Sequence, residues 1–428
     1  MLGPMAESQL HLLKTKRFLP LLITFFLGAA NDNFFRNAMA ILILYRLAEN
    51  AGIDGKLLVT LAAGIFILPF FLFSATAGQL ADKYEKSGLI RWVKLAEIAI
   101  MLFGAIGLIL GEPYFLLFVL FLMGAQSSFF GPVKYSILPL HLEPEELIGG
   151  NALMASVTFV VILLGTIAGA LLILWNGGVW IVGCGVLLLA VTGWLASRHI
   201  PSAPPANPDL IVSYNFALAT WRILRLTAVS QPIFLSVLGI SWFWVVGATL
   251  LSQFSNLARY TFHANNEVVT LFLATSTVGI AIGSLLCNRL LRGEVSAKYV
   301  AFGACGVSVF LGDLWLSAPA MDSFTGAFRD IPAFLEDAQT WRALFDIFGV
   351  SVCGGLYTVP LYAILQSRTV DGERSRIVAG NNILNALFMV LSSLAATVML
   401  TNGAAVPDIF LAVAIANLIF IVLFWRLR

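Results

Sequence analysis

Five polar side chains stand within two helical turns of the first long apolar run: Asn31, Asp32, Asn33, Arg36 and Asn37. A carboxylate or guanidinium at bilayer depth costs at least ~2.5–3.5 kcal/mol unless it is paired or hydrated. Asp32 and Arg36 are spaced i,i+4, so a self-neutralising ion pair is one reading. The other is a polar wall on a water-accessible cavity, because Asn31, Asn33 and Asn37 exceed what one pair needs. Lys134 stands near the end of the fourth apolar run, two residues after Pro132. It either snorkels to the surface or faces inward as a cation for phosphate, beside a proline that bends its helix and frees backbone carbonyls. Tyr135 and Tyr362 occupy matching places in the two halves of the chain and are expected to flank the same space. Asn151, Asn381, Asn382 and Asn385 open later runs, either as helix caps or, for Asn381 and Asn385 on one face, as hydrogen-bonding groups for a polar headgroup.

Other chemistries lack their residues. No His-x4-Asp pattern supports an acyltransferase, and no Walker pattern supports ATP hydrolysis. Cys184, Cys287, Cys305 and Cys353 lie inside apolar runs without metal-ligand spacing, and the four histidines look loop-located. No catalytic residue, metal or cofactor is expected. Asp313, Asp346 and Glu97 read as interfacial carboxylates, with Glu97 able to pair with Lys94. Gly165 and Gly169 read as a helix-packing signal.

These groups need long helices to place them. Of 428 residues, 59% are hydrophobic and 11% charged; soluble domains run closer to ~25% charged, so the bilayer must be the solvent. A net charge of +2 gives no reason to invoke nucleic acid. Twelve candidate spans follow, at about 18–47, 57–81, 88–110, 113–139, 149–174, 177–197, 230–256, 267–291, 298–317, 341–366, 376–400 and 405–426. The first is preceded by Lys14, Lys16 and Arg17 but is too long for a cleavable leader. The runs are continuous rather than alternating, which excludes a β-barrel.

Most Lys and Arg outside the spans fall on one side, Lys94 included, against Arg46, Lys56, Arg259, Arg329 and Arg342 on the other. That bias predicts cytoplasmic N- and C-termini. The longest polar stretch, 198–229, is expected to be a cytoplasmic linker between six-helix bundles at 1–197 and 230–428. Tyr214, Ala217, Leu218, Trp221 and Leu224 fall near helical spacing beside Arg222 and Arg225, which predicts a short interfacial helix with its arginines toward lipid phosphates. A similar amphipathic stretch, 320–340, has Phe324, Phe328, Ile331 and Leu335 on one side, Asp322, Asp330, Glu336 and Asp337 on the other, and a kink expected at Pro332.

Repetition orders the whole. Pro132 and Pro360 near the ends of spans four and ten, Asn151 and Asn381 in the spans that follow, and Gly78…Lys83 against Gly283…Arg289 all occupy corresponding places. This predicts a duplication with parallel topology.

Gly78-Gln-Leu-Ala-Asp-Lys83, continued by Lys86, Arg91 and Lys94, resembles the major facilitator superfamily signature between helices two and three. The second glycine of that signature is missing, and Glu85 stands where a basic residue would be usual. The resemblance implies a twelve-helix, all-α fold and a latch at Gly78, Asp82, Lys83 and Arg91 that helps hold the halves together in the outward-facing state. Ala30-Asn-Asp-Asn-Phe-Phe-Arg-Asn37, Gln126…Pro139, Gly247…Gln253 and Gly380…Met389 look like the bacterial lysophospholipid transporters of that superfamily, across almost all of the chain. That group implies an inner-membrane carrier of lysophospholipid working by alternating access with sideways substrate entry. An acyltransferase would act on its product; some relatives are fused to acyltransferase and acyl-carrier-protein ligase domains, for which 428 residues are expected to leave no room. The site it implies comprises Asp32, Arg36, Lys134, Tyr135, Asn31, Asn33, Tyr362, Asn381 and Asn385. The competing expectation is a proton-coupled exporter of another amphiphile, which a carboxylate without a cationic partner would favour.

Overall fold

A computed structural model describes residues 9–47, 55–318 and 328–427. Twelve long helices and one short one account for most of it: α1 (Leu19–Leu42), α2 (Gly55–Lys83), α3 (Lys86–Leu110), α4 (Pro113–Ser136), α5 (Leu147–Leu172), α6 (Gly178–Ser197), the short α7 (Phe216–Thr227), α8 (Gln231–Asn256), α9 (Asn266–Leu291), α10 (Val300–Ser317), α11 (Ala338–Arg368), α12 (Arg374–Thr401) and α13 (Val406–Trp425). Their ends follow local chemistry. Prolines sit in the first turn of α1, α4, α8 and α13, where a missing N–H loses nothing. Gly111 ends α3 in the left-handed region at φ 67°.

Eleven of these helices are long and apolar enough to cross a membrane. The exception among the twelve is α1, whose Asn31–Asn37 run lowers its hydropathy; a helix so marked belongs inside a bundle rather than against lipid.

The pairings repeat along the chain. α1 packs on α5 and α8 on α12; α2 packs on α4 and α9 on α11; α3 packs on α6 and α10 on α13. The first six and last six helices meet through α5 against α9 and α2 against α12. Gly165 and Gly169 bring α5 onto the α1 backbone: a Cβ at Gly169 would stand 2.5 Å from the Phe34 carbonyl oxygen.

Several details differ from expectation. Lys94 is not a loop residue: it is fully buried in α3, and Glu97, which forms the expected ion pair with it, is buried too rather than interfacial. Asp346 is fully buried near the start of α11, whereas Asp313 pairs with Arg342 at a more exposed place. Asn381, Asn382 and Asn385 cap nothing, because α12 already begins at Arg374. Pro332 lies in the first turn of a short helix, Ile331–Leu335, and kinks nothing. Phe324 and Asp322 lie outside the described residues.

Candidate functional site

α1 and α4 run side by side in opposite senses and make two rungs. At one, Ser127 donates to the Asp32 carboxylate at 2.7 Å. At the other, the Lys134 ammonium lies 4.3 Å from the centre of the Phe25 ring and 5.0 Å from that of Tyr135. Seven residues separate the rungs on both helices, which is two turns or about 10 Å.

Asp32 and Arg36 do not form the ion pair that their spacing allows. Arg36 instead donates to Asn33 Oδ1 at 2.8 Å, and its guanidinium lies 5.5 Å from the Phe66 ring centre. Asn33 returns its amide N–H to the Ala29 carbonyl, and Asn37 donates to Thr166 on α5. No cation lies within ion-pair distance of Asp32, and no carboxylate within that distance of Lys134, among the described residues.

Sequence reading missed what holds Asp32. Glu97 accepts from Asn31 Nδ2 at 3.0 Å, from Gln126 Nε2 at 3.0 Å and from the Lys94 ammonium. Ser127 bridges Gln126 to Asp32. A buried charge is tolerable only when paired and fully hydrogen-bonded, and Glu97 meets both conditions. Asn31 thus supports the site through Glu97. The legible signal was the i,i+3 pair of opposite charges inside an apolar span.

Opposite this column, α11 and α12 contribute a second set of groups. Tyr362 stacks on Tyr135 with ring centres 4.5 Å apart and planes 14° from parallel, and it accepts from Trp244 Nε1 at 3.4 Å. Asn385 accepts from Ser241 at 2.8 Å. Asn381 is fully buried, and the Tyr362 hydroxyl is the group its amide reaches. A narrow apolar cleft lies nearby, lined by Phe159 of α5, Phe243, Val246 and Leu250 of α8, Ile280 of α9 and Tyr357 of α11. A larger open cleft of about 460 Å³, lined by Asp313 and Asp346, lies toward the other end of α10 and α11, away from these groups.

Beyond the Tyr135–Tyr362 stack, at the end that carries the central linker, the first and last six helices are bonded together. Asn151 and Gln366 exchange two side-chain hydrogen bonds, and Gln366 also donates to the Tyr135 carbonyl. Asp82, fully buried, accepts from the backbone N–H groups of Ser375 and Arg376 and from Arg376 Nε at 3.0, 3.3 and 3.1 Å. Gly78 makes this possible: a Cβ there would stand 2.6 Å from Ala379 Cβ and 2.9 Å from the Ser375 carbonyl oxygen. The two arginines in the first turn of α12 oppose its dipole, and that mismatch was the sequence signal for a carboxylate supplied from elsewhere. The degenerate copy behaves in parallel, since Asn288 packs at Gly149 near the start of α5.

Lys83 and Arg91 do not join this contact. Lys83 lies near the Tyr84 ring, and Arg91 donates to the Ile200 carbonyl beyond α6. Glu85 replaces a basic residue for a local reason, as it caps α3 through Ser87 and Gly88 and binds the Ala203 N–H. Burial alone would raise its pKa, but the N–H groups of Ala203, Gly88 and Ser87 outweigh that and hold the carboxyl below the usual range. Other bonds lace the linker to the same loop, with Ala206 and Asn207 on the Asp82 carbonyl and Ser213 on Gln79.

Residues 21–329 match the family model of the Major Facilitator Superfamily. The lysophospholipid transporter LplT of Serratia proteamaculans is 28% identical over 330 residues, covering 74% of this chain and 72% of that one. Its Escherichia coli O157:H7 counterpart is 28% identical over 326 residues with the same coverage. Among solved structures, the human organic anion transporter MFSD10 superposes with a TM-score of 0.75 at 12% identity, over 95% of this chain and 99% of that one. A bacterial homologue of the iron transporter ferroportin, in its outward-facing state, superposes with a TM-score of 0.69 at 15% identity, over 95% and 98%.

Proposed function

The chain belongs to the Major Facilitator Superfamily, and from that premise we propose that it carries lysophospholipids across a bacterial inner membrane by alternating access. The observation that carries the reading is Lys134. Its ammonium is held over two aromatic faces with no carboxylate of the described residues within ion-pair distance, beside the Tyr135–Tyr362 stack. A cation left without a protein counter-ion suits an anionic ligand group, and the phosphate of a lysolipid supplies one. The Asn381 amide, buried beside Tyr362, offers that headgroup both a donor and an acceptor. Asp32, two turns away and held by Ser127, is placed for the ammonium of an ethanolamine headgroup. The apolar cleft between α5, α8, α9 and α11 holds only about 20 Å³ in this state, so the acyl chain would need these helices to part, as sideways entry requires. Relatives bearing the name lysophospholipid transporter support the choice of substrate.

In this reading the bundles at 1–197 and 230–428 rock against each other, with the 198–229 linker and both termini in the cytoplasm. The bonds at Gln366 and Asp82 then close the cytoplasmic end, and Gly78 and Asp82 act as the latch with Ser375 and Arg376 as its catch. Lys83 and Arg91 belong to its surroundings. Asn33, Arg36 and Asn385 line the pathway. The protein works as a carrier and not as an enzyme, and an acyltransferase would consume what it delivers.

Among the described residues Asp32 has no cation within ion-pair distance, and this favours one second reading, a proton-coupled exporter of another amphiphile. Purified protein in liposomes separates the two. Labelled lysophosphatidylethanolamine should be moved without an imposed pH gradient. Lys134→Ala should lower that flux at least about tenfold, the size of one charge-assisted hydrogen bond. Transport of soluble amphiphiles alone, or only with a pH gradient, would favour the exporter; equal lysolipid flux by the variant would remove Lys134 from the site.

A further inference from the structure

We propose that the outward face of α7 is a docking surface for anionic phospholipid headgroups, which hold this helix as a strap across the seam between α2 and α12. The inference rests on the membrane fold alone and is independent of the substrate proposed above.

α7 is capped by Asn215, whose side chain accepts from the Leu218 N–H at 3.1 Å. Its buried face is small: Ala219, Ile223 and Thr227. Ala219 and Ile223 form one cluster with Ala75 of α2 and Ile383 of α12. The fit to α12 is close, since a Cβ at Gly380 would meet Thr227 Cγ2 at 2.6 Å and Ile223 Cγ2 at 3.1 Å. One short helix therefore touches both the first and the last six helices, and covers the line along which they would separate.

Of the apolar residues that sequence periodicity singles out, Leu224 packs against this cluster, while Tyr214, Ala217, Leu218 and Trp221 are exposed, as is Phe216. Leu218 is 41% exposed, Phe216 and Trp221 each 54%, and Tyr214 just before the helix 79%. In water such a face would be unfavourable, and none of the described residues covers it. Arg222 and Arg225 are exposed on the same helix, and neither makes an ion pair among the described residues. Arg225 instead lies 4.8 Å from the Trp221 ring centre. Indole, leucine and unpaired guanidinium side by side on a helix match the headgroup layer, where the ring sits at the boundary and the cation meets phosphate. A guanidinium fork accepts two phosphate oxygens at once, and a net negative headgroup leaves that charge uncompensated by any ammonium. The occupant is therefore anionic lipid.

Native mass spectrometry of the full chain, in micelles doped with phosphatidylglycerol or phosphatidylcholine, tests this. The parent should retain phosphatidylglycerol preferentially. Each surface arginine is worth about fivefold, so Arg222→Gln with Arg225→Gln should weaken that retention by about thirtyfold. Arg289→Gln with Arg292→Gln, two exposed arginines off this helix with no indole beside them, should leave it within about twofold. A spin label at Leu218→Cys in bilayers should be relaxed more by oxygen than by a water-soluble nickel chelate. Equal retention of both lipids by the parent, unchanged preference in the α7 variant, or a label facing water would each overturn the proposal. So would a soluble protein retained by the parent and lost by the α7 variant while lipid preference stays intact, since the face would then belong to that protein.

Discussion

Replacing Asp82 by asparagine keeps the shape of the side chain and removes its charge. The carboxylate accepts three hydrogen bonds from Ser375 and Arg376, one of them from a guanidinium. Bonds to a charged group contribute about 1.5–3 kcal/mol each in net terms. Asparagine retains one acceptor, and the neutral amide is easier to bury than a carboxylate, which offsets part of the loss. The balance is about 2 kcal/mol, or about thirtyfold in an equilibrium. All three bonds cross between the first and last six helices, so the loss should fall on the equilibrium between closed and open linker ends and leave each group's own stability unchanged. A thirtyfold shift turns about 97:3 closed to open into about even populations. Spin labels at Tyr84 and Val370, both exposed near this end, report the change as distance distributions in nanodiscs. The expected result is a second, longer distance at comparable weight in Asp82→Asn, with the melting temperature nearly unchanged. A distribution shifted by less than about threefold would refute the reasoning and leave the loop as a charged connection only.

Two more expectations follow from buried charge and capping. Glu97→Gln leaves the Lys94 ammonium buried without a counter-ion, which should destabilise the protein by about 3–5 kcal/mol, seen as a lower melting temperature in detergent; a melting temperature unchanged from the parent would mean that Lys94 is neutral or hydrated. The Glu85 carboxyl is held below its ordinary range, so its contribution is present above the unfolded value of about 4.5 and is lost as pH falls through the lower folded value. Protection of residues 203–213 from proteolysis should therefore be constant from about pH 7 to pH 5 and weaken only below that, whereas Glu85→Gln should show weakened protection already at pH 7.

The division between what the chain shows and what the fold adds follows the range of each interaction. Bilayer thickness acts on local composition, so all twelve long helices were legible from apolar runs, with ends displaced by a few residues. The cost of charge in hydrocarbon is also local, which made Asp32, Arg36 and Lys134 conspicuous along the sequence. Partnership is not local. The i,i+4 spacing permitted an Asp32–Arg36 pair, but Ser127, 95 residues away, takes Asp32 and Asn33 takes Arg36. Glu97 and Lys94 looked like surface groups because only the packing of α1, α3 and α4 encloses them. Asp82 and its catch are separated by 293 residues. The stripe of Leu218 and Trp221 was legible as amphipathic, but only the packing of Ala219 and Ile223 on the α2–α12 seam decided that the stripe turns outward. Sequence determines which groups cannot remain alone in a membrane; which group each one meets is set by helices brought together from opposite ends of the chain.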